Sequence, residues 1–157
     1  MTEEVLKVGE LAPDFALKDD HGCVRTLKDF RGKKLILYFY PEDETSGCTI
    51  EAQGFRDHLE DFARAGWQVV GVSNDDVAAH CGFRDHHGLN FRLLCDVGRT
   101  LSNDCGLMSE QVKDGKSRIR INRSTLLIDE NGRFLKVMKG VAAREHVAEL
   151  LQMLCSK

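Results

Sequence analysis

The chain has no Cys-x-x-Cys pair and no cysteine and histidine cluster at zinc-ligand spacing, although six cysteines are spread over its 157 residues. That removes the signatures of a dithiol redox pair and of a structural zinc site. The cysteines, at 23, 48, 81, 95, 105 and 155, do not make the dense framework of a disulfide-stapled secreted fold, so most are expected to be free in a reducing compartment. A basic surplus is also missing, with a net charge of -3 and a pI near 6.1. Nucleic acid or an anionic membrane as main partner calls for a basic patch, so neither is expected. No apolar run approaches membrane-spanning length, and Met1-Thr-Glu-Glu carries acidic residues where a signal peptide needs a basic and then an apolar run. The expected location is the cytoplasm. Prolines are scarce, so Pro13 and Pro41 each mark a place, the first in an extended entry and the second at the end of a strand.

What remains is an ordinary globular composition, 42% hydrophobic and 30% charged, expected to form one domain over residues 1–157. The chain is organised around Lys34-Leu-Ile-Leu-Tyr-Phe-Tyr-Pro-Glu-Asp-Glu-Thr-Ser-Gly-Cys-Thr-Ile-Glu51. Leu35 to Tyr40 reads as a strand buried on both faces, stopped by Pro41. Phe55, Leu59 and Phe62 then recur at helical spacing up to Gly66, which places Cys48 in the first turn of a helix. Unpaired N–H groups and the positive end of the helix dipole favour a thiolate there. Ser46, Gly47 and Thr49 are expected to leave the sulfur little apolar cover. Thr45 offers a hydroxyl to the sulfur or to a bound ligand.

Along the rest of the chain, residues 15–17 and 24–27 flank the turn Asp19-Asp-His-Gly22 as an N-terminal β-hairpin. Trp67 to Val72 is a second buried strand. Asn74-Asp-Asp76 caps a helix from Val77 to His87 that Gly88 ends. Phe91 to Cys95 is strand-like, Thr100 to Cys105 helical, and Lys113 to Lys116 a turn. Residues 124–129 and 133–138 form a hairpin through Glu130-Asn-Gly132, and a helix from about Ala143 to Leu154 aligns Val147, Leu150, Leu151 and Leu154. The fold class is therefore α/β, a central mixed β-sheet flanked by helices, and the order resembles the thioredoxin-like fold.

Pro41, Thr45 and Cys48 stand in the spacing Pro-x-x-x-Thr-x-x-Cys, followed by Glu51, and Arg123-x-Thr-Leu-Leu-Ile-Asp129 comes later. This resembles the peroxiredoxins, in particular the bacterioferritin comigratory or Q-type group. The resemblance implies a thiol-dependent peroxidase acting on hydrogen peroxide and organic hydroperoxides with no metal, haem or flavin. It implies Cys48 as peroxidatic nucleophile, Thr45 as hydrogen-bond partner of the peroxide, Arg123 as the group that orients it and supports the thiolate, and Pro41 as a shield against water. Glu51 either holds the arginine or is a first-turn charge suited to the helix dipole. Ser46 departs from the group, where proline usually precedes the Gly-Cys pair.

Ionising the thiol is not enough. Moving a cysteine pKa from about 8.5 to about 6 raises the thiolate fraction at pH 7 about thirtyfold. A Brønsted slope of roughly 0.4 to 0.5 takes back about tenfold of that in nucleophilicity. Most of the acceleration must come from donors fixed around the reacting oxygens.

Attack leaves a sulfenic acid that needs reduction. The position five after Cys48, where many members of the group carry a resolving cysteine, holds Gln53; the alternative position, near Arg84, lies one turn after Cys81. Cys81 is the candidate resolver, and its disulfide with Cys48 requires local unwinding. The alternative is direct reduction by thioredoxin, glutaredoxin or glutathione. Cys155 lacks the context of a dimer-resolving cysteine, the resemblance implies a monomer or weak dimer, and Cys23, Cys95 and Cys105 read as structural or incidental. His80, His86 and His87 read as a solvated helix end rather than a metal site. A protein disulfide oxidoreductase on the same fold would need a second cysteine near Gly47 or Thr49, and a cysteine phosphatase would need arginine where Gly54 stands. A non-catalytic, chaperone-like binder requires an inert Cys48.

Overall fold

The computed structural model describes residues 6–155. Its central sheet has seven strands in the order β2-β1-β5-β4-β3-β8-β9. The core trio β3 (Lys34–Phe39), β4 (Trp67–Ser73) and β5 (Arg92–Cys95) is parallel. β1 (Ala16–Asp19) pairs antiparallel with both β5 and β2 (Val24–Thr26), the expected N-terminal hairpin. On the other side β8 (Ser124–Ile128) runs antiparallel to β3, and β9 (Phe134–Lys139) to β8. A separate antiparallel hairpin of β6 (Met108–Lys113) and β7 (Lys116–Ile121) was expected only as its turn.

β3 alternates Leu35, Leu37 and Phe39 into one core and Ile36 and Tyr38, followed by Tyr40, into the other. The first core is closed by Leu27 and Phe30 of a 3-10 turn and by Leu101 of α4 (Thr100–Asp104). The second is covered by Ala52 and Phe55 of α1 (Ser46–Asp57), Phe62 of α2 (Leu59–Arg64), Phe83 of α3 (Val77–His87), and Val147 and Leu150 of α5 (His146–Cys155). α1 and α5 approach closely because Gly54 carries no side chain; a Cβ there would stand 3.0 Å from Val147 Cγ2.

The helix expected from Cys48 to Gly66 is in fact two. His58 leaves helical geometry at φ -115, ψ 15, and ends α1 before α2 begins. No proline or glycine announces this break. α3, by contrast, keeps its expected bounds: the Asp76 side chain accepts from the Ala79 N–H at 2.9 Å, and Gly88 adopts the left-handed conformation with φ 60.

Candidate active site

Strand pairing brings the candidate residues together. β8 lies beside β3 with Ser124 opposite Phe39, so Arg123 stands at the strand end where the chain leaves β3 through Tyr40 and Pro41. The intervening loop turns through Glu44, whose φ of 66 is left-handed, and enters α1 with Thr45 as an extended N-cap. Cys48 is the third residue of the helix. Thr49 N–H is bonded to Thr45 C=O at 2.9 Å, and the earlier N–H groups lie outside the intrahelical ladder.

One guanidinium joins two residues of α1. Arg123 donates through Nη2 to Cys48 Sγ at 3.4 Å and through Nη1 to Glu51 Oε1 at 2.7 Å. Cys48 and Glu51 are three positions apart and so share a helix face, which lets a single planar fork reach both. Glu51 is fully buried, and among the described residues its Oε2 has no hydrogen-bond partner. Burial pushes its carboxyl up to about 7, with the charge of Arg123 pulling the other way by less. Burial works against the Arg123 charge too, but the neighbouring Glu51 and Cys48 outweigh it and raise its pKa. The frame behind the site is polar and neutral: burial, then the charges of Glu51 and Cys48, push the Tyr38 phenol well up, and burial with Arg123 nearby holds His146 down at about 4. His146 Nε2 meets the Thr125 hydroxyl at 2.7 Å.

The sulfur is more covered than the small residues around it suggested. Cys48 is 1% exposed and packs with the α1 side of the core. Small neighbours along the chain say nothing of what the rest of the fold lays over them, and here the cover includes Arg123, itself 16% exposed. Gly47 makes room for that guanidinium; a Cβ would stand 3.1 Å from Nη2 and 3.5 Å from Ala143 Cβ. Thr45 does not bond the sulfur: its hydroxyl donates to Glu42 C=O at 2.8 Å. Pro41 lines an adjoining cavity of about 550 Å³ together with Glu42, Asn74, Asp75, Arg118 and Arg120.

Cys81 lies on the outer part of α3, partly exposed, with Arg84 Nη2 donating to its sulfur at 3.3 Å. Cys95 and Cys105 are buried thiols that desolvation pushes up to about 12, in keeping with structural roles. Cys23 is exposed. The three histidines do not form one solvated end. His86 and His87 reach Glu44 at 3.0 and 2.8 Å, whereas His80 is fully buried against Asp43. His80 stands three residues before the buried Phe83, a spacing that places both on the inner face of α3 and could have shown its burial. Among the described residues, two groups set ligand atoms within 4.8 Å of one another, Glu44 with His86 and His87, and Asp43 with Asp75 and His80. In both, the side chains already hydrogen-bond within the protein.

Residues 8–136 match the family model described as the AhpC/TSA family. The chain belongs to that family. It is 43% identical over 149 residues to peroxiredoxin Bcp of Bacillus subtilis, covering 95% of each chain. It is 36% identical to the chloroplastic peroxiredoxin Q of rice, covering 94% of this chain and 66% of the rice protein. Among solved structures it superposes on the Xanthomonas campestris bacterioferritin comigratory protein, studied for alkyl peroxide reduction, with a TM-score of 0.86 at 32% identity over 97% of both chains. As a peroxiredoxin on the thioredoxin-like fold, the protein is a thiol-dependent peroxidase, with peroxide as oxidant and a thiol as reductant. Among the described residues no helix is long and apolar enough to cross a membrane.

Proposed function

We propose that Cys48 is the peroxidatic cysteine, reducing hydrogen peroxide and organic hydroperoxides, with Arg123 and Thr45 arranging the substrate. The contact that supports this most directly is the Arg123 guanidinium at 3.4 Å from Cys48 Sγ, fixed from behind by buried Glu51. The thiolate attacks one peroxide oxygen and the O–O bond breaks. Sulfur is oxidised by two electrons to the sulfenic acid, and the departing alkoxide or hydroxide takes up a proton. Arg123 and the free N–H groups at the start of α1 stabilise charge as it moves onto that oxygen. Thr45 gives its proton to Glu42 C=O, which leaves its oxygen lone pairs to accept from a peroxide O–H. Pro41 borders the approach and keeps water from the sulfur. Glu51 acts on the arginine and not on the substrate.

Cys81 is the resolving cysteine in this reading. Its thiolate attacks the sulfenic sulfur, releases water after proton uptake, and forms a disulfide that thioredoxin or glutaredoxin reduces. Direct reduction by glutathione is the competing route. The protein acts in the cytoplasm as an antioxidant of cell redox homeostasis, as a monomer or weak dimer.

Intact mass after one equivalent of peroxide tests both assignments. Wild type is to lose two hydrogens, Cys81→Ser to gain one oxygen and keep it, and Cys48→Ser to stay unchanged. An added oxygen that persists in wild type removes Cys81 from the cycle, and an oxidised Cys48→Ser removes Cys48.

A further inference from the structure

Asp43, five residues before Cys48, and His80, the residue before Cys81, form a buried pair that ties the loop to α3. His80 Nδ1 lies 2.7 Å from Asp43 Oδ2, and its Nε2 lies 2.8 Å from Leu94 C=O. Both side chains are buried, His80 completely. A carbonyl oxygen has no proton to give, so Nε2 is the donor. The Nδ1 contact must hold a proton as well, because an imidazole lone pair facing a carboxylate is repulsive. That proton belongs on His80, since Asp43 serves as an acceptor on both oxygens, its Oδ1 taking the Tyr40 hydroxyl at 2.6 Å. The Asp43 N–H in turn donates to Asp75 Oδ2 at 2.8 Å, which also takes the Ser73 hydroxyl at 2.6 Å.

We propose that doubly protonated His80 and ionised Asp43 are positioning residues for the peroxidase reaction, a buried clamp that holds the loop leading to Thr45 and Cys48 against a wound α3. The kinetic part of this rests on Cys48 being the nucleophile. The groups facing His80 are Asp43 and Asp75 from the loops and the Tyr40 ring after β3; Asp76 caps its own helix, and the Cys95 thiol, next along β5 from Leu94, is kept neutral by burial. Burial alone pulls the imidazole down; the bond and charge of Asp43 outweigh it and raise its pKa above 6.5. The stability it lends is therefore complete below its unfolded pKa of 6.5 and is lost as pH climbs through the higher folded value. In the function proposed above, the disulfide that Cys81 forms with Cys48 draws on local unwinding next to His80. The clamp accordingly favours the wound state that meets peroxide, and its release favours resolution.

Nitrogen-15 histidine spectra of the reduced protein at about pH 7 are to show both ring nitrogens of His80 protonated. An unprotonated ring nitrogen there overturns the proposal. Asp43→Asn supplies the decisive variant, because its amide N–H donates to a neutral imidazole while its oxygen still accepts from Tyr40. In that protein His80 is to be neutral, and amide-exchange protection of residues 77–87 is to lose the alkaline decline seen in wild type. An equal decline in both proteins overturns the clamp. His80→Ala is to lower peroxide oxidation about tenfold while raising the ratio of disulfide formation to oxidation; an unchanged ratio sinks the positioning role. The same spectra and exchange in Cys48→Ser read the clamp independently of the nucleophile assignment, so the two can fail separately.

Discussion

Cys48 and Cys81 make nearly the same local contact. Each accepts from an arginine Nη2, at 3.4 Å from Arg123 and 3.3 Å from Arg84. Their settings differ in where the helix places each sulfur. Arg123 is anchored by a buried carboxylate and stands at the end of a central strand, beside a helix start. Arg84 is likewise tied to a buried carboxylate, Asp20, as well as to the exposed Asp85, but it stands on the same helix as Cys81, whose sulfur is partly exposed and lies in mid-helix. A guanidinium beside a sulfur therefore does not by itself make a peroxide site. In the proposed site the sulfur also lies at a helix start, where free backbone N–H groups join the arginine as donors that need no reorganisation in the transition state.

The sharpest way to break this comparison is to remove each sulfur. Cys48→Ser is to abolish peroxide consumption followed by stopped flow, while Cys81→Ser keeps the first-turnover rate of wild type. Equal losses in the two would make them a single unit and dissolve the contrast. Gly47→Ala comes next. Its methyl meets Arg123 Nη2 at 3.1 Å, so the fork shifts by a few tenths of an ångström and the first-turnover rate falls about tenfold. Arg84→Ala is to slow disulfide formation only severalfold, measured by quenched-flow mass analysis, and to leave the first oxidation untouched.

Glu51→Gln leaves both sulfurs in place and reads the frame through pH. The Glu51 carboxyl lies at about 7 in the fold against 4.5 unfolded, so the folded state holds the proton more tightly. Its contribution is complete below pH 4.5 and is lost as pH rises to about 7, by up to ~3 kcal/mol. Thermal melts of the glutamine variant should lack that slope relative to wild type; parallel slopes would mean that Glu51 is ionised throughout.

The same contrast governs what could be read from the residues alone. Elements fixed by local chemistry were legible: β3 by its aliphatic run and Pro41, α3 by Asp76 and Gly88, and the β8–β9 connection by Asn131-Gly132. The β6–β7 hairpin was not, because it is polar and largely exposed and has no buried face to impose alternation. The break at His58 carries no sequence signal, since it serves packing of α2 on β4 and α5. At the site, the spacing around Cys48 and the later arginine pointed to residues that do meet in space. Burial of the sulfur, the Glu51 anchor left open between two roles, and the Asp43–His80 pair across 37 positions depend on tertiary neighbours that no local window contains.

In the function proposed here, fixed donors, more than thiolate formation, accelerate peroxide reduction at Cys48. Stopped-flow oxidation of Arg123→Ala and wild type, each measured at a pH where its own thiol is fully ionised, isolates that contribution. The variant is to stay slower by about a hundredfold. Equal rates at equal ionisation would contradict that role of the donors.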